Sequence, residues 1–426
     1  MNITKLRDTA ASLFKVAVSA ADPQLSVRRE LSENPLPIIR EGRILLVALG
    51  KAATSMAEEA LRHIPKGKPC KAVAVTNYEN ARKVEGCEVM ASGHPIPDAN
   101  GTIAAQKVIK LLQSTDKNDI VLMLLSGGGS ALLPAPAEGI SLQDKIDTNE
   151  LLLKNGYIID EINMIRQQLS KIKGGGIQRL APKSKIRSLI ISDVIGDDLN
   201  VIASGPTASP IGSRAEAADL LKSRGHWSLL PTPVQEVLSR TEIDTTNIAQ
   251  ELTENSLICS NRQSLLEILR AAEGFDAKIL DFNLDGDVAE AAEKIFKGID
   301  NVTCNTSQVL IWGGETTVKL KGHGKGGRNQ ELALRVAEKL GDLPYDWVFM
   351  SAGTDGRDGP TEAAGGLVDG GTIGRLQEKG RSLSSFLDHS DSYNALLLSD
   401  DLFITGSTGT NVADVQLFIR LPSYKG

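Results

Sequence analysis

Short apolar runs rich in β-branched residues alternate with stretches in which apolar residues recur every three or four positions, almost from end to end of the chain. Residues 43–49, 71–77, 88–92, 119–125 and 187–193 have strand length, and helical spacing fills 52–64, 99–114 and 160–171 between them. This alternation predicts βαβ units and a mostly parallel, doubly wound sheet, because parallel neighbours need a long crossover. A proline-punctuated connection follows at 205–233, carrying Pro206, Pro210, Pro231 and Pro233 around a short helix. A second series then begins. Residues 256–260, 277–282, 308–312, 316–320 and 347–351 read as strands, 288–296 and 329–340 as helices, and 402–405 and 415–421 as closing strands. The pattern predicts an α/β protein of two domains, 1–235 and 236–426, with mostly parallel sheets.

A chain of 426 residues is too long for one ordinary core, which agrees with two domains. With 41% apolar, 23% charged and 4% aromatic residues it is a soluble globular chain, and the few aromatics exclude stacked recognition of single strands. Its 47 basic and 53 acidic side chains include no long basic tract, so no nucleic-acid partner is expected. No apolar run reaches the ~18 residues of a membrane span, and the N-terminal residues have helical spacing, so no membrane and no signal peptide are expected. Cys70, Cys87, Cys259 and Cys304 are scattered without a CxxC pair. They read as free thiols in a reducing, cytoplasmic compartment.

The richest local signal is DIVLMLLSGGGS, a strand that runs into Ser126, Gly127, Gly128, Gly129 and Ser130. Consecutive glycines bring bare N–H groups within reach of an anion, and the serines add donors. One glycine would suffice for a tight turn, so three favour phosphate or carboxylate binding. Gly50 and Lys51 end the first strand, where ligands sit in open α/β sheets, and a lysine there offers a mobile cation. Asp193 ends another apolar strand and suits a general base or a magnesium ligand. His94, in SGHPIPDANG, reads as a structural hydrogen-bonder. In NMIRQQLSKIKGGG the basic residues and first glycine suit a helix C-terminus, and the remaining glycines offer a second backbone wall for the site.

The segment WGGETTVKLKGHGKGGRNQE matches G-x-G-x-x-G literally, yet the next strand lacks the acidic residue that would hold a ribose. Lys325 and Arg328 suit a phosphate group better, with Glu315 as a partner for magnesium or a hydroxyl. Two polar glycine loops follow later strands, at 351–366 and 405–414. Asp355 and Asp358 in the first read equally as metal ligands or turn formers, and Asn411 in the second as pocket lining or turn. Walker A, GxSxG and HExxH patterns are absent.

Taken in order, VALGKAA, SGHPIPDANG, LSGGGSALL, INMIRQQLSKIKGGG, ISDVIGDDLNVIASGPT, GGETTVKLKGHGKGGRNQELAL, SAGTDGRDGPTEAAGG and TGSTGTNVADV resemble the MOFRL family of glycerate 2-kinases. The likeness runs from Val47 to Val415, with one departure: Ser407 stands where the family often has proline. It implies phosphorylation of D-glycerate at its 2-hydroxyl by ATP with a divalent cation such as Mg2+. It also implies a cleft between two Rossmann-like domains as the active site, a C-terminal domain of MOFRL type, and Lys51, Asp193 and Arg328 as catalytic or substrate-binding. Ser126–Ser130, Lys325, Glu315 and Asn411 complete the candidate substrate and phosphate contacts; the magnesium ligands stay unassigned. Charge reversal at Arg328 is expected to abolish turnover and spare the fold. Two alternatives stay open, an NAD(P)H-dependent hydroxypyruvate reductase and a non-catalytic sugar-phosphate sensor, as does assembly into a homo-oligomer.

Overall fold

The computed structural model describes residues 3–39, 41–194, 196–241, 252–300, 306–341 and 343–422. The chain divides into two compact units, one comprising residues 23–258 and the other residues 1–22 with 259–426.

In the 23–258 unit the strands are β1 (Ile44–Leu49), β2 (Cys70–Asn77), β3 (Glu88–Ser92), β4 (Ile120–Leu125), β5 (Lys185–Ile191) and β6 (Thr253–Cys259, whose last residue belongs to the other unit). They lie side by side in the order β3-β2-β1-β4-β5-β6. Every ladder from β3 to β5 is parallel. β1 and β4 are buried at every position, as strands covered by helices on both faces must be. The order is that of a doubly wound sheet. Between β1 and β4 the winding direction reverses, which opens a crevice at the carboxyl ends of those two strands. A separate apolar cluster built on Leu152, Ile162, Ile165, Leu221 and Val234 packs the helices at 142–238 together. Among these, the Leu142–Lys154 helix, with a Ser141–Asp144 capping box, carried too weak an apolar rhythm to stand out in the sequence.

The other unit holds β7 (Asp276–Leu284), β8 (Gln308–Gly314), β9 (Trp347–Gly353), β10 (Gly365–Asp369), β11 (Leu402–Phe403) and β12 (Asp414–Arg420), in the order β11-β10-β9-β12-β8-β7. β7 and β8 are parallel, whereas β12 runs antiparallel to both β8 and β9, and β10 to both β9 and β11. Four strands therefore share one direction, and the two reversed strands between them make most ladders antiparallel. The final strand returns to the middle of this sheet, a placement that hydrophobic pattern does not encode. Residues 316–320 do not form the expected strand. Thr317 makes a single bridge to Asp287, with its N–H on the Gly286 carbonyl at 2.8 Å. β10 escaped prediction because two of its five residues are glycines of low strand propensity.

The expected boundary near 235 is displaced to 258/259, and the first 22 residues join the C-terminal unit. Packing explains this. Leu6, Ala10 and Phe14 of the Ile3–Ala20 helix share a core with Leu265, Ile268, Val348 and Met350. Arg7 pins the same helix to Asp369 at 2.6 Å and Asp401 at 2.9 Å, and Arg375 holds both carboxylates from another direction. Cys70, Cys87 and Cys259 are free thiols; Cys304 lies outside the described residues.

Asp401 is fully buried between two arginines, so Asp401→Ala strands part of two guanidinium charges. The variant should lose about 3 kcal/mol of unfolding free energy in urea titration. A midpoint equal to the parent's would refute the role of this network.

Candidate active site

Two loops meet where the winding of the first sheet reverses. Leaving β1, the Gly50 N–H bonds to Val75 O (3.1 Å), the Lys51 N–H to Gly127 O (2.9 Å) and the Ala52 N–H to Ser126 Oγ (3.1 Å). Ser126 is buried, and its hydroxyl braces the two loops. It is positioned as a structural tie.

The glycines that follow are shaped by their neighbours. A Cβ on Gly127 would lie 1.9 Å from Asp193 Oδ2, so the Asp193 carboxylate occupies the space a side chain would need. Gly128 has φ +86°, and a Cβ there would lie 3.2 Å from His94 Nε2 and 3.3 Å from Lys51 Cγ. Lys51, His94 and Asp193 thus converge on one glycine loop. Among the described residues the N–H groups of Gly127 and Gly128 find no protein acceptor. Gly129 packs against Leu49 and Ala203. Ser130 Oγ lies 2.7 Å from Ser204 Oγ, which donates to Asn163 Oδ1 at 2.9 Å. The buried Lys173 ammonium donates to the Ser130 carbonyl at 3.0 Å.

Burial raises the Asp193 carboxyl above its ordinary value, against the lowering influence of its own N–H and of Lys51. Burial and then the Lys51 charge depress His94, which is therefore neutral at neutral pH. His94 has no protein hydrogen-bond partner among the described residues, so the expected structural role does not hold. Its ring faces the cavity that it shares with Gly128 and Ser130. A carboxylate made more basic by burial, a mobile ammonium and unused N–H groups can accept a hydroxyl proton while holding an anion.

The second triple glycine is not a wall of this site. The Gly174 and Gly175 N–H groups bond to Ser204 O and Gly205 O at 3.1 and 2.8 Å. Those bonds hold Ser204 and Lys173 against Ser130, a supporting role that the helix C-terminus reading could not reveal.

In the other unit Arg328 opens the Arg328–Leu340 helix. Its Nε and Nη2 grip Asp414 at 2.7 and 3.0 Å, and its Nη1 lies 2.9 Å from Glu315. Burial opposes the charge, but the Asp414 bonds and carboxylate outweigh it and raise Arg328 above its usual value. Asp414 is the missed member of this set: it stood in the TGSTGTNVAD loop, but only the fold reveals that β12 begins beside β8. Asp358 caps the helix, accepting from Asn329 N at 3.2 Å and Gln330 N at 2.9 Å. Burial first, and then Asp414, push its carboxyl up to about 6.

Lys325 lies 3.3 Å from Glu362 and stacks on the Tyr393 ring, and its N–H bonds to Asp391, so its loop is docked on residues 389–393. Asn411 is exposed and its Oδ1 accepts from Ala413 N at 3.1 Å, a turn contact. Because Asp414 is buried on Arg328, charge reversal there would strand a buried carboxylate and cost stability, contrary to expectation. Among the described residues no group of three or more histidine, cysteine, aspartate or glutamate side chains is placed to hold a metal ion.

Residues 9–239 match a family described as a domain of unknown function (DUF4147), and residues 308–414 match the MOFRL family. The chain is 38% identical to D-glycerate 2-kinase of Thermotoga maritima over 417 residues, covering 96% of this chain and 97% of that one. It is equally similar, 38% over 436 residues and 97% of each chain, to glycerate 2-kinase of Pyrococcus horikoshii. Human glycerate kinase is 34% identical over 491 residues, 98% of this chain and 94% of its own. The crystal structure of the Thermotoga maritima glycerate kinase superposes with a TM-score of 0.90 at 37% identity, covering 98% of this chain and all of that one.

The raised Asp193 carboxyl has a consequence for stability. A carboxyl whose folded value exceeds its unfolded one costs stability once ionised, so the penalty grows as pH rises through the folded value. Asp193→Asn should therefore unfold at higher urea concentration than the parent at pH 7, and the gain should vanish below about pH 4. A pH-independent difference would refute the assignment.

Proposed function

This chain belongs to the MOFRL family of glycerate 2-kinases, and from that membership we propose that it transfers the γ-phosphoryl group of ATP to the 2-hydroxyl of D-glycerate. The observation that carries the reading to individual residues is the convergence of Lys51, Asp193 and the bare 127–129 backbone at one strand edge. Asp193 accepts the 2-hydroxyl proton as that oxygen attacks phosphorus. The new O–P bond forms as the bond from phosphorus to the β-γ bridging oxygen breaks, and ADP departs with that electron pair. The Gly127 and Gly128 N–H groups and the Lys51 ammonium stabilise the charge on the transferring group. Arg328, drawn tight by Asp414, presents what remains of its guanidinium fork to an oxyanion.

Bound magnesium neutralises charge on the transferring phosphates. The free thiols support a cytoplasmic location, and no described helix is long and apolar enough to cross a membrane. The reductase alternative is disfavoured because His94 has no hydrogen-bonded carboxylate among the described residues. The names of the relatives disfavour a mere sensor.

Enolase provides the direct assay, since it consumes 2-phosphoglycerate and leaves 3-phosphoglycerate untouched. Protein, ATP, magnesium, D-glycerate and enolase should together yield phosphoenolpyruvate, and Lys51→Met should lower kcat/KM by roughly 10²–10³-fold. Arg328→Lys, which keeps the charge for Asp414 but loses the fork, should cut turnover with little loss of stability. Oxidation of NADH by hydroxypyruvate, with no phosphoenolpyruvate formed, would overturn the kinase reading.

A further inference from the structure

Beside the glycine loop lies a cavity of about 270 Å³, lined in part by His94, Gly128 and Ser130. Its lining also carries Lys145, Arg166 and Lys173. Among the described residues none of the three has a carboxylate partner. Arg166 Nε donates to Asn149 Oδ1 at 2.8 Å, and Lys173 donates to Ser130 O and Ser204 Oγ at 3.0 and 3.4 Å. The Lys145 ammonium is enclosed and has no hydrogen-bond partner among the described residues. The one acidic residue on the wall, Glu150, is solvent-exposed.

Three enclosed cations facing one another without a counter-ion is a costly arrangement. Burial, then Arg166, pushes Lys145 down to about 8, and burial with both neighbouring cations holds Lys173 well below its usual value. An anion in the cavity would relieve all three. The space lies at the small end of the ~300–1,000 Å³ range of ligand sites, which suits a three-carbon acid. Because Gly128 belongs to the same lining, a small acid anchored there lies beside the loop against which Asp193 is packed.

We propose that this cavity binds the carboxylate of the acceptor, a small 2-hydroxy acid, with Lys145 and Arg166 as the anchoring cations. The inference rests on the kinase reading for the identity of the acceptor, but its test requires no turnover. D-glycerate, glycerol, inorganic phosphate and ADP are titrated calorimetrically into the full-length protein and into Lys145→Met, Lys145→Arg and Arg166→Gln.

The parent should bind D-glycerate and not glycerol, which lacks the carboxylate. Lys145→Met and Arg166→Gln should weaken D-glycerate by roughly 10- to 100-fold, the loss expected of one charge-assisted bond. Binding of ADP should stay within about twofold. Lys145→Arg, which keeps the charge, should retain most of the affinity. Near pH 8.5, binding to the parent should take up protons, visible as a buffer-dependent heat that Lys145→Met abolishes. Removing an unpaired enclosed charge should leave the melting temperature of Lys145→Met equal to or above the parent's, which separates lost binding from lost folding.

Unaltered D-glycerate affinity in both neutral variants would overturn the proposal. So would losses of phosphate and ADP affinity that exceed the loss for D-glycerate, since the cavity would then serve the nucleotide. Lys145-dependent binding of D-glycerate without phosphoryl transfer would uphold the cavity and sink the kinase reading. Full transfer with an unchanged KM for D-glycerate in Lys145→Met would do the reverse.

Discussion

The parallel register of β1, β4 and β5 places Leu49 opposite Leu125, and Leu125 opposite Ile190, so three strands end level at one edge of the sheet. Two or three residues beyond that line come Lys51, Gly127 and Asp193. The backbone bond from Lys51 N to Gly127 O closes the gap between the first two, and the missing side chain at Gly127 admits the carboxylate of the third. A one-residue slip of either ladder would turn these groups to opposite faces. The chemistry proposed for the 23–258 unit therefore depends on sheet register more than on any single contact.

Electrostatics differ sharply between the two candidate regions. Around the glycine loop burial works on groups with few partners: it raises Asp193 and lowers His94, Lys145 and Lys173. These are groups whose protonation a ligand can change. Around Arg328 the charges are already matched, because Asp414 and Glu315 embrace the guanidinium and Asp358 is spent on a helix cap. The first region is poised to respond to an anion and a proton. The second has its charges paired, and what it offers is orientation.

Much of this was legible in the sequence, and the failures have physical causes. Strands β1, β4 and β5 announced themselves because a strand buried on both faces must be continuously apolar, and the residues at their ends followed directly. The three glycines of 127–129 pointed to close approach, yet what approaches them is set by neighbouring strands. Ser126 reads as a ligand donor, and in the fold its hydroxyl also accepts from Ala52 N, a partner that the sequence does not reveal. The glycines of the 322–327 segment suggested a phosphate cradle, and the fold adds that Lys325 within it pairs with Glu362 and stacks on Tyr393. The partnership of Arg328 with Asp414 spans 86 residues and depends on the last strand entering the middle of its sheet. Lys145 gave no signal, because a lysine on an amphipathic helix normally faces water.

The most direct test is a crystal structure of the protein with D-glycerate and a non-hydrolysable ATP analogue. The account predicts the 2-hydroxyl within about 3 Å of an Asp193 carboxylate oxygen, with a γ-phosphoryl oxygen on the N–H of Gly127 or Gly128. A ternary complex in which the 2-hydroxyl turns away from Asp193, and the 127–129 backbone touches neither ligand, would contradict it.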